Sequence, residues 1–353
     1  DDDELSATLS LLEAVGNGIT TTVEAGTVAH PERVAAAFER VGVRGTVGTW
    51  GWDRGQGPFA ADTDEILEHQ RSVVDRWPAG GLVEGWVTLV GHDLASDRLF
   101  AEAAELARAA STSLTFHMSP SPDDGFAFTQ RTGKRPINHL ADLGVLGPET
   151  LIAHAVYLDD GELDLLIDTR TAISYCPWAY LRLGQGVSVA GRHLEFHQKN
   201  GRLALGCDTE NAGDSIDAIR VGALTAGLAR DMSCDPTAFG AHEALELLTI
   251  RGAEAIGMAD RVGSLEVGKA ADLVVHDLSS VGSTPAAIDP ALQLLWAGDG
   301  RAVTDVIVDG VAVLQDGVST KVDHRDLVSE AKLAQRKLFQ QAGLSPSPRW
   351  PVR

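Results

Sequence analysis

Three titratable residues each stand near the end of a short apolar run. They are His117 in "LTFHM", His154 in "TLIAHAV" and Asp208 in "RLALGCDT". Imidazole nitrogens and a carboxylate are suitable ligands for a borderline divalent ion such as zinc, and a nearby histidine can orient or deprotonate a bound water. A single histidine at the end of a strand is more often a hydrogen-bonded, half-buried residue than a ligand. The recurrence at three run ends favours metal-assisted hydrolysis.

Short apolar, β-branched runs alternate with segments of helical period for more than two hundred residues. Strand and helix alternating at this spacing form parallel βαβ units. The helices predicted between the strands are 31–41, 63–77, 97–111 and 160–169. The predicted strands are 18–26, 43–50, 82–91, 113–118, 150–156, 171–177 and 202–209.

These strands predict an α/β fold, either a doubly wound sheet or a (β/α)8 TIM-type barrel. No glycine-rich phosphate loop follows any strand, which weakens the doubly wound alternative. The barrel is favoured because barrel enzymes place catalytic groups at the C-terminal ends of their strands, where His92 also stands. With seven strands and no initial methionine, we expect the first barrel strand to be missing from this chain.

Beyond the seventh strand the pattern changes to helices over 216–231 and 240–258, and then to two alternating apolar segments, 262–278 and 302–317. We therefore predict three parts of the chain. They are a barrel of strands two to eight over 1–261, a small β subdomain over 262–320, and a C-terminal helix and tail over 321–353.

Charge and composition exclude several classes of partner. The formal net charge of −21 argues against nucleic acid, because phosphates would be repelled over most of the surface. No apolar run approaches the length of a membrane span, and the acidic start "DDDELSATLS" has no signal-peptide pattern. The three cysteines form no CxxC pair, which fits a reducing compartment. We expect a cytoplasmic protein with no membrane and no nucleic-acid partner.

Four segments carry a resemblance to a known family. The most specific is "ALELLTIRGAEAIGMADRVGSLEVGKAADLVVHDL", and the others are "AHAVYLDDGELDLL", "YCPWAYLRLGQG" and "LGCDTENAGDS". With these the chain resembles the amidohydrolase superfamily, in particular its branch of cytosine, guanine and adenosine-type deaminases and triazine hydrolases. The resemblance covers essentially the whole chain.

The resemblance implies roles for the three strand-end residues. His117 matches the strand-five metal ligand, His154 the strand-six histidine that contacts the attacking water or the substrate, and Asp208 the strand-eight aspartate. In the family this aspartate touches the metal and takes the proton from the water. We therefore expect His117, Asp208 and His154 around one divalent metal, zinc or alternatively iron, with Asp208 and His154 catalytic. A small-molecule substrate and a homodimer are also implied.

Two departures from the family pattern stand out. The first barrel strand of the family supplies a His-x-His pair to the metal, and none of the eleven histidines lies two residues from another. Deaminases of this branch also carry a glutamate three residues after the strand-five histidine, where this chain has Pro120. Proline cannot transfer a proton, so Asp123 or Asp124 would have to substitute, unless both are turn residues.

Other polar and aromatic residues are candidates for the substrate pocket. His92 ends a strand, Trp178 and Arg182 could stack on or pair with a planar ring or else pack within their loop, and Glu210 is a neighbour of Asp208. His193 and His197 share one helix face, a spacing compatible with metal binding, but no HExxH pattern surrounds them, so a surface or capping role is expected.

These observations lead to one preferred function and two alternatives. The preferred function is metal-dependent hydrolysis of a carbon–nitrogen bond other than a peptide bond in a small cyclic or heteroaromatic compound. A second enzymatic hypothesis is a purine, pyrimidine or triazine deaminase that releases ammonia. Pro120 counts against this hypothesis, because proline cannot transfer a proton. A reading from another class is a non-catalytic barrel that serves as a binding or assembly scaffold.

Overall fold

The computed structural model describes residues 2–208, 210–345 and 350, and the side chains of residues 210 and 211 lie outside that description. Its strands in the described residues are β1 (Thr21–Val23), β2 (Arg44–Val47), β3 (Val83–Gly85), β4 (Val87–Gly91), β5 (Leu114–Met118), β6 (Thr150–His154), β7 (Ala172–Tyr175), β8 (Leu203–Leu205), β9 (Leu273–His276), β10 (Val303–Val308), β11 (Val311–Gln315) and β12 (Val318–Ser319).

The helices surround these strands in chain order. They are α1 (Asp2–Gly16), α2 (Pro31–Val41), α3 (Thr63–Arg76), α4 (Asp97–Ala109), α5 (Pro122–Thr132), α6 (Pro136–Asp142), α7 (Asp160–Asp168), α8 (Pro177–Leu183), α9 (Val187–Ala190), α10 (His193–Gln198), α11 (Glu210–Gly213), α12 (Ala218–Ser233), α13 (Ala241–Leu248), α14 (Ile250–Ala255), α15 (Pro290–Ala297) and α16 (His324–Gln341).

The strands β1 to β8 form two parallel sheets in chain order, β1-β2-β3 and β4-β5-β6-β7-β8. The two sheets meet at Trp86, which separates β3 from β4. Its N–H group donates to the Val47 carbonyl on one side, and the next N–H group, of Val87, donates to Ser113 on the other. Together β3 and β4 therefore act as one broken strand that joins the two sheets. This order confirms the predicted series of seven parallel strands, and each predicted strand position is occupied.

These strands form apolar runs in the sequence because both of their faces are buried. β2 is buried along its whole length, and β4, β5 and β6 are buried except at one position each. Covering helices shield the outer face, as expected for parallel strands. The helix predicted over 240–258 is instead divided into α13 and α14, because Thr249 leaves helical geometry (φ −128°, ψ −105°). In the described residues no helix has the length and apolarity needed to cross a bilayer.

The two alternating segments near the C-terminus contribute to a four-stranded antiparallel sheet, β12-β11-β10-β9. The buried valines of this sheet share one apolar cluster with residues of α1 and α2, among them Leu11, Val15 and Phe38. The contact is reinforced by the buried pair Arg44–Asp272. The division at residues 261 and 320 stays a prediction, and this shared core, which also includes Val322 and Leu327, crosses both boundaries.

Candidate active site at the C-terminal ends of the strands

His117 is the fourth residue of β5, and its backbone lies opposite Gly91 of the neighbouring β4. Its Nδ1 atom lies 2.8 Å from the carbonyl oxygen of Val90. Because a carbonyl can only accept, Nδ1 carries the proton and Nε2 keeps its lone pair. Metal-binding histidines typically have their second nitrogen fixed in this way. His117 is therefore prepared as an Nε2 donor.

Gly91 allows His117 and His92 to approach each other. Its φ of +84° is in the left-handed region, and a Cβ atom there would clash with the carbonyl oxygen of His117. The chain then turns at His92, whose φ is +52°. The imidazole rings of His92 and His117 lie nearly parallel, with centroids 5.9 Å apart. His92 thus lies directly after β4, and its role in the substrate pocket stays a prediction.

Asp124 holds His92 in place. Its Oδ2 atom lies 2.8 Å from Nδ1 of His92 and accepts a 2.6 Å hydrogen bond from the N–H group of Ser119. Asp124 is only 7% exposed, in the first turn of α5, whereas Asp123 is exposed and bonded to the Ser121 hydroxyl. Asp124 is thus a buried partner of a site histidine rather than a turn residue.

His154 ends β6, opposite Met118 of β5. The residue is 8% exposed, and its ring centroid lies 5.3 Å from that of His117 and 5.6 Å from the ring of Tyr180. Its backbone is left-handed, with φ of +82°, and Ala155 follows with +52°. Its Nδ1 atom is buried and has no hydrogen-bond partner in the described part of the chain. A buried ring nitrogen of this kind is suited to a ligand of the site.

Burial keeps both strand-end histidines neutral. It lowers the pKa of His117, and the charge of His92 lowers that pKa further, although the Val90 carbonyl and the carboxylates of Asp208 and Asp124 act in the opposite direction. Burial lowers the pKa of His154 well below its usual value, with a smaller contribution from the charge of His117. Neutral imidazole is the form that binds a metal ion or accepts a proton.

Asp208 follows β8, and its backbone has φ of +62°. Its charge acts on His117, whose pKa it raises, and on the buried phenol of Tyr180. The carboxylate therefore belongs electrostatically to the same mouth of the barrel. His92, His154 and Asp208 share a left-handed backbone at a strand end, and non-glycine residues in this conformation concentrate at functional sites.

These residues fit part of a metal site. His117 offers Nε2, Asp208 offers a carboxylate, and both donor types suit zinc. Among the residues that the structure describes, no three His, Cys, Asp or Glu side chains form a group that could hold a metal ion. The sequence also has no His-x-His pair. The ligand set of His117, Asp208 and His154 therefore stays a prediction.

Two other predicted pocket residues, Trp178 and Arg182, follow the C-terminal end of a barrel strand. Trp178 and Arg182 lie in α8, directly after β7. The Arg220 guanidinium covers the Trp178 ring at 5.2 Å, and Arg182 pairs with Asp214 at 2.6 Å. These contacts join α8 to the segment that follows β8, so substrate binding by the two residues stays a prediction. Glu210 cannot be placed, because its side chain lies outside the described residues.

His193 is buried beside the candidate site, a position that sequence reasoning missed. A surface or capping role was expected, but this prediction is wrong, because His193 is 4% exposed and its Nε2 atom lies 2.7 Å from the carbonyl oxygen of His154. The burial of the first residue of a six-residue helix depends on how α10 docks on β6 and β7. The i, i+4 spacing of His193 and His197 in the sequence does not indicate this burial.

The described geometry agrees with comparisons to known proteins. The amidohydrolase family model matches residues 4–313. A 5-methylthioadenosine/S-adenosylhomocysteine deaminase of Symbiobacterium thermophilum is 30% identical over 353 residues, which cover 97% of this chain and 77% of that protein.

Two solved structures share the fold. An adenosine deaminase from Xanthomonas campestris with bound zinc superposes with a TM-score of 0.90 at 25% identity, over 96% of this chain and 75% of that one. A triazine hydrolase from Arthrobacter aurescens reaches a TM-score of 0.84 at 22% identity, over 94% of this chain and 75% of that one. These similarities confirm the predicted resemblance, the fold class and a hydrolase chemistry at carbon–nitrogen bonds other than peptide bonds. The chain belongs to the amidohydrolase family.

Proposed function

We propose that this protein hydrolyses a carbon–nitrogen bond of a small cyclic or heteroaromatic compound with the help of one divalent metal ion. The observation that carries the proposal is the state of His117. Its Nδ1–H group is fixed on the Val90 carbonyl, and burial keeps the ring neutral, so that Nε2 is available as a ligand. His154 lies beside it with an unpartnered ring nitrogen.

The residues of this chain divide the chemistry between them. His117 and Asp208 would hold the ion, which we propose to be zinc, with iron as the alternative. When bound, such an ion lowers the pKa of a water molecule toward neutrality. Asp208 would accept the proton that this water loses, and the neutral ring of His154 would orient the water or the substrate. His92, fixed by Asp124, would line the substrate pocket.

A deaminase is the second candidate, and the comparisons favour it. The similar proteins include deaminases of adenosine and of 5-methylthioadenosine. Release of ammonia requires a proton for the leaving group, and Pro120 cannot supply one. Asp124 is buried and hydrogen-bonded to His92 and Ser119, whereas Asp123 is hydrogen-bonded to the hydroxyl of Ser121. Because the similar proteins include deaminases of adenosine and of 5-methylthioadenosine, a purine nucleoside with an exocyclic amino group is the first substrate class to test.

Partners and location follow as parts of the same proposal. The substrate is a small molecule, and the homodimer implied by the family resemblance is proposed for this chain as well. The strong negative charge argues against nucleic acid as a partner. We propose a cytoplasmic protein without a membrane partner.

The decisive experiment uses protein expressed from its full reading frame. Metal content is measured by elemental analysis, and ammonia release is measured on a panel of amino-substituted purines, pyrimidines and triazines. His117→Ala and Asp208→Ala should lose the metal, whereas His324→Ala, at an exposed histidine, should keep it. Protein without stoichiometric metal, before and after incubation with zinc or iron, would contradict the hydrolase and support a non-catalytic scaffold. A negative ammonia panel with metal present would exclude the deaminase alone.

A further inference from the structure

His193 stands directly behind the site, on the far side of the His154 backbone. Its Nε2 atom lies 2.7 Å from the His154 carbonyl oxygen, and since that oxygen only accepts, Nε2 must carry the proton. The ring of His193 is stacked on Tyr175 with centroids 4.0 Å apart and an angle of 23°. Both the donor position and the plane of the imidazole are therefore fixed.

The backbone that His193 contacts is strained. His154 has φ of +82°, a left-handed conformation that is unfavourable for a non-glycine residue. Such a conformation persists only when the surroundings enforce it. Two hydrogen bonds do so here, from His193 to the His154 carbonyl and from the N–H group of Ala155 to the Met118 carbonyl.

The side chain of His154 has no comparable anchor. Its Nδ1 atom has no hydrogen-bond partner in the described residues, and its ring lies beside the rings of His117 and Tyr180. The direction of the ring consequently depends on its packing beside these two rings and on the backbone from which it projects. A group that holds the backbone carbonyl thereby controls the side chain on the opposite side.

We propose that His193 is a positioning residue, whose Nε2–H group holds the carbonyl of His154 and so keeps the His154 ring aimed at the reacting centre. This inference rests on the proposed function, in which His154 orients the water or the substrate. It assigns to His193 the hydrogen bond alone, without a proton transfer.

The test separates the hydrogen bond from the packing. His193→Gln and His193→Met replace the ring by unbranched side chains of similar length, of which only glutamine can donate to the carbonyl. We expect the Met variant to lose about 10- to 100-fold in kcat with little change in KM, as for other residues that orient a site ligand, and the Gln variant to recover most of it. His197→Gln, in the same helix, should behave as wild type.

A second measurement does not depend on turnover. Two-dimensional 15N–1H spectra of the imidazole rings, recorded on the whole protein, report the environment of His154. In the Met variant the His154 signals should shift or broaden, whereas those of His139, which is hydrogen-bonded to Asp97, should stay unchanged. Wild-type spectra in the Met variant would overturn the proposal, and so would equal kcat values for the Gln and Met variants. If the wild type shows no hydrolase activity at all, the proposed function fails, and the spectra alone decide the position of His154.

Discussion

The Nδ1 atom of His92 lies 2.8 Å from Oδ2 of Asp124, so that a residue directly after β4 and a residue in the first turn of α5 form one partly buried pair. Oδ2 accepts a hydrogen bond from the Nδ1–H group of His92 and a second one from the N–H group of Ser119, which lies two residues after His117. It therefore fixes both the ring of His92 and the backbone at the end of β5. The pair links the predicted pocket to the predicted metal ligand.

Asp124→Asn should disturb this link. A single carboxylate oxygen, Oδ2, accepts both hydrogen bonds, and the neutral amide oxygen of asparagine is a weaker acceptor for them. The charge that fixes the His92 tautomer is also lost. We expect kcat/KM to fall about 10- to 100-fold, the range found for residues that orient site ligands. Steady-state kinetics on the substrate found in the ammonia panel provide the measurement. Asp123→Asn is the matched control and should leave kcat/KM unchanged, because Asp123 is exposed.

Gly91→Ala should destabilise the fold at the site. The methyl group would clash with the backbone of His117, and alanine disfavours the φ of +84°. We expect a loss of more than about 2 kcal/mol in the free energy of unfolding, measured by urea denaturation. Gly144→Ala is the control, since it has φ of +69° but open space around the added Cβ. It should lose only about 1 kcal/mol. Equal losses would show that the close approach to His117 is unimportant.

The carboxyl group of Glu24 should make the free energy of unfolding depend on pH. Burial raises the pKa of its carboxyl, although the N–H groups of Gly26 and Thr27 act in the opposite direction. The folded state therefore binds a proton more tightly than the unfolded state, and stability is lost as the pH rises above the ordinary pKa of glutamate.

Glu24→Gln, which does not titrate, removes this dependence. In urea denaturation at several pH values from about 4 to 8, the stability of the wild type relative to this variant should fall as the pH rises. A difference that is independent of pH, or that grows toward high pH, would contradict the assignment.

The buried ion pair Arg44–Asp272 should matter more than an exposed one. Both side chains are 4% exposed, and Nε and Nη2 of Arg44 bind the two carboxylate oxygens at 3.1 and 3.2 Å. Asp272→Ala leaves a buried cation without its principal partner and should cost about 3–5 kcal/mol in the free energy of unfolding. Arg33→Ala, which breaks the more exposed pair with Glu4, should cost less than about 1 kcal/mol. Similar costs in denaturant titrations would contradict a stabilising contact between β2 and the residue that precedes β9.

The sequence by itself determined the order of elements and the positions of three strand-end residues. Apolar β-branched runs alternating with helical periods are local patterns, and strands buried on both faces produce them directly. His117 and His154 could be identified because each stands at the end of such a run. For Asp208 the match to the family motif was also needed, since it follows β8 by three residues.

Only the tertiary structure decided which side chains support those residues. Asp124 reaches His92 across 32 positions of the chain, and His193 reaches the carbonyl of His154 across 39. Neither contact has a local pattern, because both depend on how a helix docks against the ends of neighbouring strands. For the same reason the sequence pattern favours a turn position for Asp124 and a surface position for His193. The packing buries both residues against the site.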